Sequence, residues 1–323
     1  MSHAIRVHRY GGPDSLVWEA VEVAPPGPGQ VLIRHTAIGL NFIDVYERTG
    51  LYQASLPITP GREAAGVVEV LGEGVANLAV GDRVVYVSQS SGAYCQQRVM
   101  PADRLVKLPA HLDDQAAAAL FLKGLTAQFL LRRTYKVGSG DYVLIHAAAG
   151  GVGSLAVQWA KHLGAVVIAI VGSHAKADRA RSLGAHHVLL DHDDWVAQVR
   201  SITSGEGVHV VYDSVGKTTF ASSLECLRRR GMMVSYGNAS GPVPPVAPLE
   251  LSRRGSLFLT RPTLFDYIAQ RAELEQAASE LFELHQQGVI HVHVDRAYPL
   301  HEAGQAHRAL EARETSGSTV LLP

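Results

Sequence analysis

The sequence predicts an α/β protein of two domains, in which a domain with a doubly wound parallel sheet is inserted into a mostly-β, barrel-like domain. Three observations predict this fold. Short strand-like segments between Gly and Pro turns fill about the first 120 residues. Strands and helices alternate from Asp141, and this alternation stops after Pro262. With 323 residues the chain is long enough for two buried cores.

The N-terminal segment has the pattern of an antiparallel β unit. Its clearest strands are rich in branched residues and are predicted at residues 30–34, 66–71, 82–87 and 104–109. Glycine and proline punctuate them, which is typical of a barrel of short antiparallel strands. One helix is predicted inside this unit, at residues 42–48, because Gly50 would end it.

The middle segment has the pattern of a parallel sheet covered by helices. Two helices, at residues 113–124 and 126–135, lead into it. Apolar strands are then predicted at residues 142–147, 166–171, 187–190, 208–213, 232–236 and 257–260, with helices beginning near Gly151, Ala175, Asp193 and Thr218. Buried strands joined by helices specify a parallel sheet.

The C-terminal segment is too short for a core of its own. It is predicted to form a long helix at residues 265–285, a strand at 291–294, a helix at 302–313 and a last strand at 318–322. A piece of about 60 residues is expected to pack back on the N-terminal unit. The predicted domains are therefore residues 1–124 with 263–323, and residues 125–262.

Composition and charge exclude several functional classes. Lys plus Arg is 29 and Asp plus Glu is 30, so the chain lacks the basic surface that a duplex-binding protein needs. Two cysteines, Cys95 and Cys226, allow neither a disulfide framework nor a four-cysteine zinc site. The start lacks the apolar core of a signal peptide, and no apolar run is long enough to span a membrane. These features predict a cytoplasmic protein.

The strongest local signal is a glycine-rich turn between a buried strand and an amphipathic helix. The chain reads Ala148-x-Gly150-Gly151-Val152-Gly153 at this point, which is a dinucleotide fingerprint with alanine at the first glycine. Small residues let the backbone approach a pyrophosphate, which binds the free N–H groups of the helix N-terminus. A tight turn without a ligand is the alternative. In this context the pattern favours a Rossmann-type dinucleotide-binding domain.

The end of the next strand indicates which cofactor is bound. An NAD-binding unit places a carboxylate there to accept from the ribose 2′-hydroxyl. This chain has Gly172, Ser173 and Lys176 instead, and a lysine can meet a 2′-phosphate as a point charge. The sequence therefore predicts NADPH. The alternative for Lys176 is a solvated side chain in the first turn of a helix.

Other strand ends of the same sheet are predicted to line the cofactor, because ligands bind at the carboxyl edge of such sheets. The candidate turns are residues 213–216 and 236–238, with the end of the last strand, and the residues singled out in them are Ser214, Tyr236, Gly237, Asn238, Thr260 and Arg261. The last strand is expected to reach the nicotinamide. Each of these turns could also be purely structural.

Several sequence motifs resemble those of a known protein family. The motifs at residues 39–52, 61–68, 147–153 and 212–216 resemble those of zeta-crystallin-type quinone oxidoreductases, in the zinc-free branch of the medium-chain dehydrogenase/reductase superfamily. The match covers essentially the whole chain. It implies a GroES-like catalytic domain, NADPH-dependent reduction of quinones or related conjugated carbonyls, and a homodimer.

The resemblance also implies site residues. Asn41, Phe42, Asp44 and Tyr46 match the motif beside the nicotinamide, Tyr52 matches a tyrosine at the mouth of the substrate site, and Arg313 matches a late cofactor contact. Asn41 and Tyr46 are expected to position and polarise the acceptor. For Tyr46, simple packing of an aromatic helix face is the alternative.

One position departs from the family. Where relatives often have a tyrosine that supports the adenosine phosphate, this chain has Asp191 followed by His192. Asp191 is a predicted cofactor contact, and a carboxylate at this position would repel a 2′-phosphate unless it turns away.

No metal is expected. Asn41 and Arg62 stand where the zinc-dependent relatives have a cysteine and a histidine. The pairs His186–His187 and His291–His293 fall on predicted strands without partners at metal-ligand spacing.

Two other functions stay open at this stage. The first is a reductase of 2-alkenals or enoyl thioesters, which has the same fold but delivers the hydride to carbon. The second is a cofactor-binding structural protein or a binder of single-stranded RNA, which the neutral composition disfavours. The apolar edge strand at residues 255–262 is predicted to pair with a second copy across a twofold axis.

Overall fold

The computed structural model describes all 323 residues and divides into two compact units. Unit 1 consists of Met1–Lys123 and Val292–Pro323, and unit 2 of Gly124–His291. The first boundary agrees with the predicted one, whereas the second lies at His291 and not at residue 262. The intervening helices group with unit 2 because Arg133 pairs with Glu273 at 2.7 Å and the side chain of Leu281 covers Gly124.

Unit 1 is built around a seven-stranded, mainly antiparallel sheet and a two-stranded hairpin. Its strands are β1 (Ser2–Val7), β2 (Leu16–Val21), β3 (Gln30–Leu40), β4 (Glu63–Leu71), β5 (Arg83–Val87), β6 (Gln97–Pro101), β7 (Leu105–Lys107), β14 (Val294–Pro299) and β15 (Ser318–Leu322). Its helices are α1 (Phe42–Thr49), the first part of α2 (Asp114–Phe129) and α10 (Ala303–Glu311).

The main sheet of unit 1 joins the two ends of the chain. Its order is β14-β15-β3-β4-β5-β7, with β6 also paired to β3, and β1 pairs with β2 in the separate hairpin. The C-terminal strand β15 runs antiparallel to β3, with Val320 opposite Gly39. The return of the last segment to the N-terminal unit, predicted from its small size, is therefore confirmed for residues 292–323.

Unit 2 alternates strands and helices. Its strands are β8 (Tyr142–His146), β9 (Val166–Val171), β10 (His187–Leu190), β11 (Val208–Asp213), β12 (Leu227–Ser235) and β13 (Phe258–Thr260). Its helices are α3 (Gly151–His162), α4 (His174–Ser182), α5 (Trp195–Ile202), α6 (Phe220–Glu225), α7 (Pro248–Arg253), α8 (Leu264–Tyr267) and α9 (Arg271–Gln286).

The six strands of unit 2 form one parallel sheet in the order β10-β9-β8-β11-β12-β13. The chain thus starts in the middle of the sheet, at β8, and winds outward in both directions, which is the doubly wound order. In such a sheet the ligand site lies at the carboxyl ends of the strands next to the point of reversal. The predicted fold class is confirmed.

Several predicted elements are displaced. One continuous helix, α2, replaces the two expected around Gly124, and a π-helical turn (Leu130–Thr134) follows it. The long helix predicted at residues 265–285 is broken into α8 and α9. The strand predicted at 291–294 is wrong: His291 and His293 lie in a loop, and β14 begins at Val294. No helix of the structure has the length and apolar character that a membrane span requires.

Candidate functional site

The loop between β8 and α3 is packed so closely that no side chain would fit at Gly153. Ala147 turns the chain out of the strand with a left-handed φ of 48°, and its carbonyl accepts from the Gly150 N–H at 2.9 Å. A Cβ at Gly153 would lie 2.3 Å from that same carbonyl oxygen. A helix of 12 residues begins directly after this turn, with unpaired N–H groups at its first turn. The geometry fits a pyrophosphate on the N-terminus of α3.

The ends of β9 and β10 form the next part of the same edge. Ser173 caps α4, where its hydroxyl oxygen accepts from the Lys176 N–H at 3.4 Å. Asp191 follows β10 and donates its N–H to the Val171 carbonyl at 3.0 Å. A Cβ at Gly172 would lie 3.3 Å from Asp191 Oδ2. The carboxylate therefore faces Gly172, one of the predicted cofactor residues at the end of β9.

The loops after β11 and β12 approach each other closely. A Cβ at Gly237 would lie 2.3 Å from the Ser214 carbonyl oxygen, and Gly216 has a positive φ of 92° against the Gly241 carbonyl. These glycines explain why the candidates Ser214, Tyr236 and Gly237 share one edge of unit 2.

A fully buried carboxylate, Asp213, organises this edge. Its Oδ1 accepts from the N–H groups of Val215 and Gly216 at 2.8 and 3.0 Å, and its Oδ2 accepts from Thr219 at 2.7 Å. The turn at residues 213–216 was predicted to line the cofactor, but Asp213 was not singled out within it as a site residue. An aspartate at the end of a buried strand, followed by small and hydroxyl residues, was the signal that could have identified it.

Arg261 connects the end of β13 to the same loops. Its Nη1 donates to the Ser235 carbonyl at 2.9 Å. When the Asn238 amide is oriented to donate to the Gly237 carbonyl, its oxygen accepts from Arg261 Nη2 at 3.2 Å. Thr260 is the last residue of β13 and pairs with Val234. Unit 2 thus brings its predicted cofactor residues together along the carboxyl edge of one sheet.

In unit 1 the predicted aromatic residues cluster on and beside α1. The rings of Tyr46 and Tyr52 meet edge to face with centroids 5.3 Å apart, and the Phe42 ring lies 6.2 Å from that of Tyr46. Tyr46 is 8% exposed. Arg313, the other predicted contact in this unit, follows α10 with a left-handed φ of 59° and an exposed side chain.

Asn41 stands directly before α1, and both N–H groups of its amide have protein acceptors. Nδ2 donates to Glu63 Oε2 at 2.9 Å and to the Gly39 carbonyl at 3.2 Å. The amide oxygen Oδ1, which also faces the Asp44 N–H in the capping box of α1, is the atom of this side chain left to accept from a cofactor or substrate. The expected role of Asn41 in positioning and polarising the acceptor stays a prediction, and both N–H groups of its amide already have protein acceptors.

Asp44 connects α1 to a series of hydrogen bonds in which each group donates to the next. Arg48 Nη1 donates to His307 Nδ1 at 3.1 Å, so His307 Nε2 carries the proton and donates to Tyr94 Oη at 3.0 Å. Tyr94 in turn donates to Asp44 Oδ2 at 2.9 Å. Arg48 also forms a two-pronged pair with Glu311, at 2.9 and 2.7 Å. This chain joins the first turn of α1 to α10.

Burial shifts the ionisation of these groups. Removal from water raises the pKa of Asp44 to about 8, and the nearby Glu47 carboxylate adds to the shift. Burial also lowers the pKa of His307 to about 3, with the Arg48 guanidinium acting in the same direction. At neutral pH both side chains therefore favour their uncharged forms. We refer to Asn41, Asp44, Glu47, Arg48, Arg62, Glu63, Tyr94, Lys123, His307 and Glu311 as the α1 polar cluster.

Eight members of this cluster were not predicted as site residues: Glu47, Arg48, Arg62, Glu63, Tyr94, Lys123, His307 and Glu311. All of these except Glu47 and Arg48 lie outside α1, and only the fold brings them to it. For Glu63, its place in the glycine-rich motif at residues 61–68 was the only sequence signal.

Comparison with known proteins shows which chains this one is similar to. A family described as "Alcohol dehydrogenase GroES-like domain" matches residues 27–110, and one described as "Zinc-binding dehydrogenase" matches residues 151–283. Among curated proteins, the 2-haloacrylate reductase of Burkholderia sp. is 50% identical, with 100% of this chain and 99% of the relative covered. The quinone oxidoreductase 1 of Escherichia coli (strain K12) is 48% identical over the full length of both chains.

A solved structure gives the same result in three dimensions. The Escherichia coli quinone oxidoreductase complexed with NADPH superposes with a TM-score of 0.97 at 47% identity, covering 99% of this chain and 100% of that one.

A zinc ion does not fit the residues of this chain. The Arg62 Nε donates to Glu47 Oε1 at 2.7 Å, and a guanidinium has no lone pair to offer a metal ion. No group of three or more His, Cys, Asp or Glu side chains is arranged to hold a metal. The amide of Asn41 is likewise held by protein acceptors.

Proposed function

The chain belongs to the quinone oxidoreductase family of the medium-chain dehydrogenase/reductase superfamily, and we propose that it reduces quinones or related conjugated carbonyls without a metal ion. It is an NADPH-dependent oxidoreductase. The observation that carries the proposal is the full-length similarity to an oxidoreductase solved with NADPH, together with a loop at Gly153 that accommodates backbone alone.

The residues proposed to hold NADPH follow the carboxyl edge of the sheet in unit 2. Gly151 and Val152 are proposed to offer N–H groups to the pyrophosphate at the start of α3, next to Gly150, whose own N–H is held by the Ala147 carbonyl. Gly172, Ser173, Lys176 and Asp191 surround the adenosine ribose and its phosphate. The remaining contacts are proposed to be Ser214, Tyr236, Gly237, Asn238, Thr260 and Arg261, with Phe42, Asn41, Asp44, Tyr46 and Arg313 from unit 1.

When bound, NADPH supplies a hydride, and reduction of a quinone to a hydroquinone also consumes one proton. The acceptor is already electrophilic, so the side chains mainly have to bring the reactants together and keep water out. We propose that the rings of Tyr46 and Tyr52 pack against the bound acceptor. Asn41 is proposed to act through Oδ1, as an acceptor for an N–H or O–H group.

A second candidate activity has a specific observation behind it. The Burkholderia protein at 50% identity is named a 2-haloacrylate reductase, and an enzyme of that kind reduces a carbon–carbon double bond next to a carbonyl group. The same hydride and the same fold serve both reactions.

The test is a comparison of acceptors with the purified protein. NADPH and NADH oxidation would be followed with 1,4-benzoquinone, 9,10-phenanthrenequinone, 2-chloroacrylate and an alkenal, before and after dialysis against a strong chelator. We expect turnover of NADPH with a quinone, at a rate that dialysis leaves unchanged. Turnover of 2-chloroacrylate alone would reassign the substrate, and loss of activity on dialysis would contradict the metal-free mechanism.

We also propose a homodimer formed through β13. This strand is the last of its sheet, and Phe258 and Leu259 on it are 57% and 37% exposed. An exposed apolar edge of this kind favours pairing with a second copy. Leu257, in contrast, is buried in the core of unit 2, so a charge at that position would test folding and not assembly.

Light scattering of Phe258→Asp tests the dimer. We expect the variant to be monomeric and the unmodified protein to be dimeric at micromolar concentration. Val80→Asp is the matched control, because Val80 is a similarly exposed apolar residue of unit 1, at 64% exposure. A monomeric unmodified protein contradicts the proposal.

A cytoplasmic location is proposed from the cysteines that are present. Cys95 and Cys226 are free thiols, and burial raises the pKa of each to about 12. Unpaired thiols are usual in a reducing compartment. Cell fractionation followed by immunoblotting would test the location, and recovery in a secreted fraction would contradict it.

A further inference from the structure

A buried carboxylate, Glu63, lies behind the Asn41 side chain. Its Oε1 accepts from the Leu122 N–H at 2.6 Å, and its Oε2 accepts from Asn41 Nδ2 at 2.9 Å. The ammonium group of Lys123 lies 3.4 Å from the same Oε2. Glu63 is fully buried, and Lys123 is 5% exposed. A carboxylate and an ammonium group are thus paired out of water, and the carboxylate is in contact with Asn41, a predicted site residue.

Gly39 fixes the place of this carboxylate. A Cβ at Gly39 would lie 2.2 Å from Glu63 Oε2 and 2.3 Å from the Ala118 carbonyl oxygen. The carboxylate is therefore enclosed between strand β3 and helix α2, with no room to swing away. Its position relative to Asn41 follows from the backbone.

The charge of Glu63 determines which way the Asn41 amide faces. Because the carboxylate and the Gly39 carbonyl are both acceptors, the amide can meet them only with its NH₂ group. Without the Glu63 carboxylate, only the Gly39 carbonyl would still require the NH₂ group, and the orientation of the amide would be held less firmly. A buried carboxylate stays ionised only when a partner compensates the loss of water, and Lys123 is that partner here.

We propose that Glu63 and Lys123 are positioning residues for the reaction, because their ion pair orients the Asn41 amide so that Oδ1 is presented as the acceptor atom. This inference rests on the proposed role of Asn41. The pair acts through Asn41 and does not itself need to touch the substrate.

Lys123→Met tests the proposal by removing the positive charge. The Glu63 carboxylate is then buried without its partner, and the orientation of Asn41 is no longer held. We expect kcat with 1,4-benzoquinone to fall at least about tenfold, as for other small displacements of reacting groups. Binding of NADPH, measured by fluorescence, should change much less, because most proposed contacts lie in unit 2.

Two companion variants separate orientation from packing. Lys123→Arg keeps the charge and should retain more of the kcat than Lys123→Met. Glu63→Gln keeps the shape of the side chain but has only one oxygen, which the Leu122 N–H requires, so its NH₂ group faces Asn41 Nδ2 and disfavours the orientation of the Asn41 amide. Glu63→Gln should therefore lower kcat as Lys123→Met does. A Glu63→Gln enzyme with unchanged kcat, or a fully active Lys123→Met enzyme, would overturn the proposal.

Asn41→Ala distinguishes this inference from the function on which it rests. If the role of Asn41 is wrong, Asn41→Ala leaves kcat unchanged. If only the positioning is wrong, Asn41→Ala lowers kcat, and Lys123→Met lowers it again by the same factor in that background. The proposal predicts that Lys123→Met has no further effect on kcat once Asn41 is absent.

Controls guard against a general loss of folding. Lys107→Met is the matched control, since Lys107 pairs with Asp82 on the surface of the same unit at 2.8 Å. It should leave kcat unchanged. Should Lys123→Met fail to fold, Lys123→Gln takes its place in every comparison.

Discussion

The two units hold their functional residues in opposite ways. In unit 2 NADPH is proposed to bind at the carboxyl edge of the sheet, here called the cofactor edge. It consists of glycines, short loops and backbone N–H groups, and the charged side chains beside it, such as Asp191, are partly exposed. In unit 1 the segment around α1 is surrounded by buried ionisable side chains, with Asp44, Arg48 and Glu63 at most 1% exposed. The structure of the cofactor edge depends on close approach of backbone segments, whereas the structure of the α1 polar cluster depends on the pairing of buried charges. Substitutions should therefore affect the two regions through different physical terms.

The largest effect is expected from removing a charge of the α1 polar cluster. Arg48→Met deletes the group that donates to His307, Glu311 and the Gly11 carbonyl. Breaking a buried charged network in this way destabilises a protein by about 3–5 kcal/mol. Urea unfolding would measure the loss. Arg34→Met is the control, because the Arg34–Glu69 pair is half exposed and should contribute less than about 1 kcal/mol.

Acidification should weaken unit 1 through His35. Burial lowers the pKa of this imidazole to about 4 from its ordinary 6.5, and Arg98 adds to the effect. The folded state thus binds a proton less readily than the unfolded one. The contribution to stability is complete above pH 6.5 and is lost as the pH falls towards 4, by about 3 kcal/mol.

His35→Gln removes this titration. Unfolding free energies at several pH values between 7.5 and 4.5 should show a shallower decline in the variant. An unchanged slope would mean that His35 does not carry the acid sensitivity of unit 1.

In unit 2 the effect of charge should be confined to cofactor choice. Lys176→Ala is expected to raise the KM for NADPH and leave that for NADH nearly unchanged, since only NADPH has a 2′-phosphate. The lost contact is worth about 1.5–3 kcal/mol. Asp191→Asn should have the opposite and smaller effect, because it removes a negative charge beside Gly172. A wild-type enzyme that prefers NADH would contradict the role of Lys176.

The smallest expected change tests the space around the backbone. Gly153→Ala places a Cβ against the Ala147 carbonyl and should reduce stability by about 1–3 kcal/mol, as overpacking does, and weaken NADPH binding. In Gly150→Ala the new Cβ meets its nearest neighbour at 3.1 Å, so a milder effect is expected. Equal effects of the two substitutions would show that close backbone approach is not what shapes this loop.

The sequence predicted the turn and the alternating elements at the carboxyl edge of unit 2 because their signals are local. The Gly150–Gly153 turn and the alternation of strands and helices follow from residues close together in the chain, and local patterns are what periodicity and turn chemistry report. The α1 polar cluster could not be predicted in this way. Arg48 and Glu311 are 263 residues apart, and Asn41 and Glu63 are joined only when β3 and β4 pair.

The missed elements have similar physical causes. Gly124 was expected to separate two helices, yet it lies inside α2, because its missing side chain leaves room for Leu281. The shift of the second boundary to His291 also depends on tertiary contacts, since Gln158 donates to the His291 carbonyl at 3.1 Å and accepts from its N–H at 2.9 Å. No local pattern contains these contacts.

The pairing of β15 with β3 has a consequence for synthesis on the ribosome. All of unit 2 has been translated before residues 292–323 emerge, so its sheet can form while unit 1 still lacks β15 and α10. During that interval Tyr94 and Arg48 have no His307 or Glu311 to bond. Because domains generally fold as units in the order in which they are completed, the nascent chain should acquire its parallel sheet first. The N-terminal residues, though made earliest, would be the last to reach their final structure.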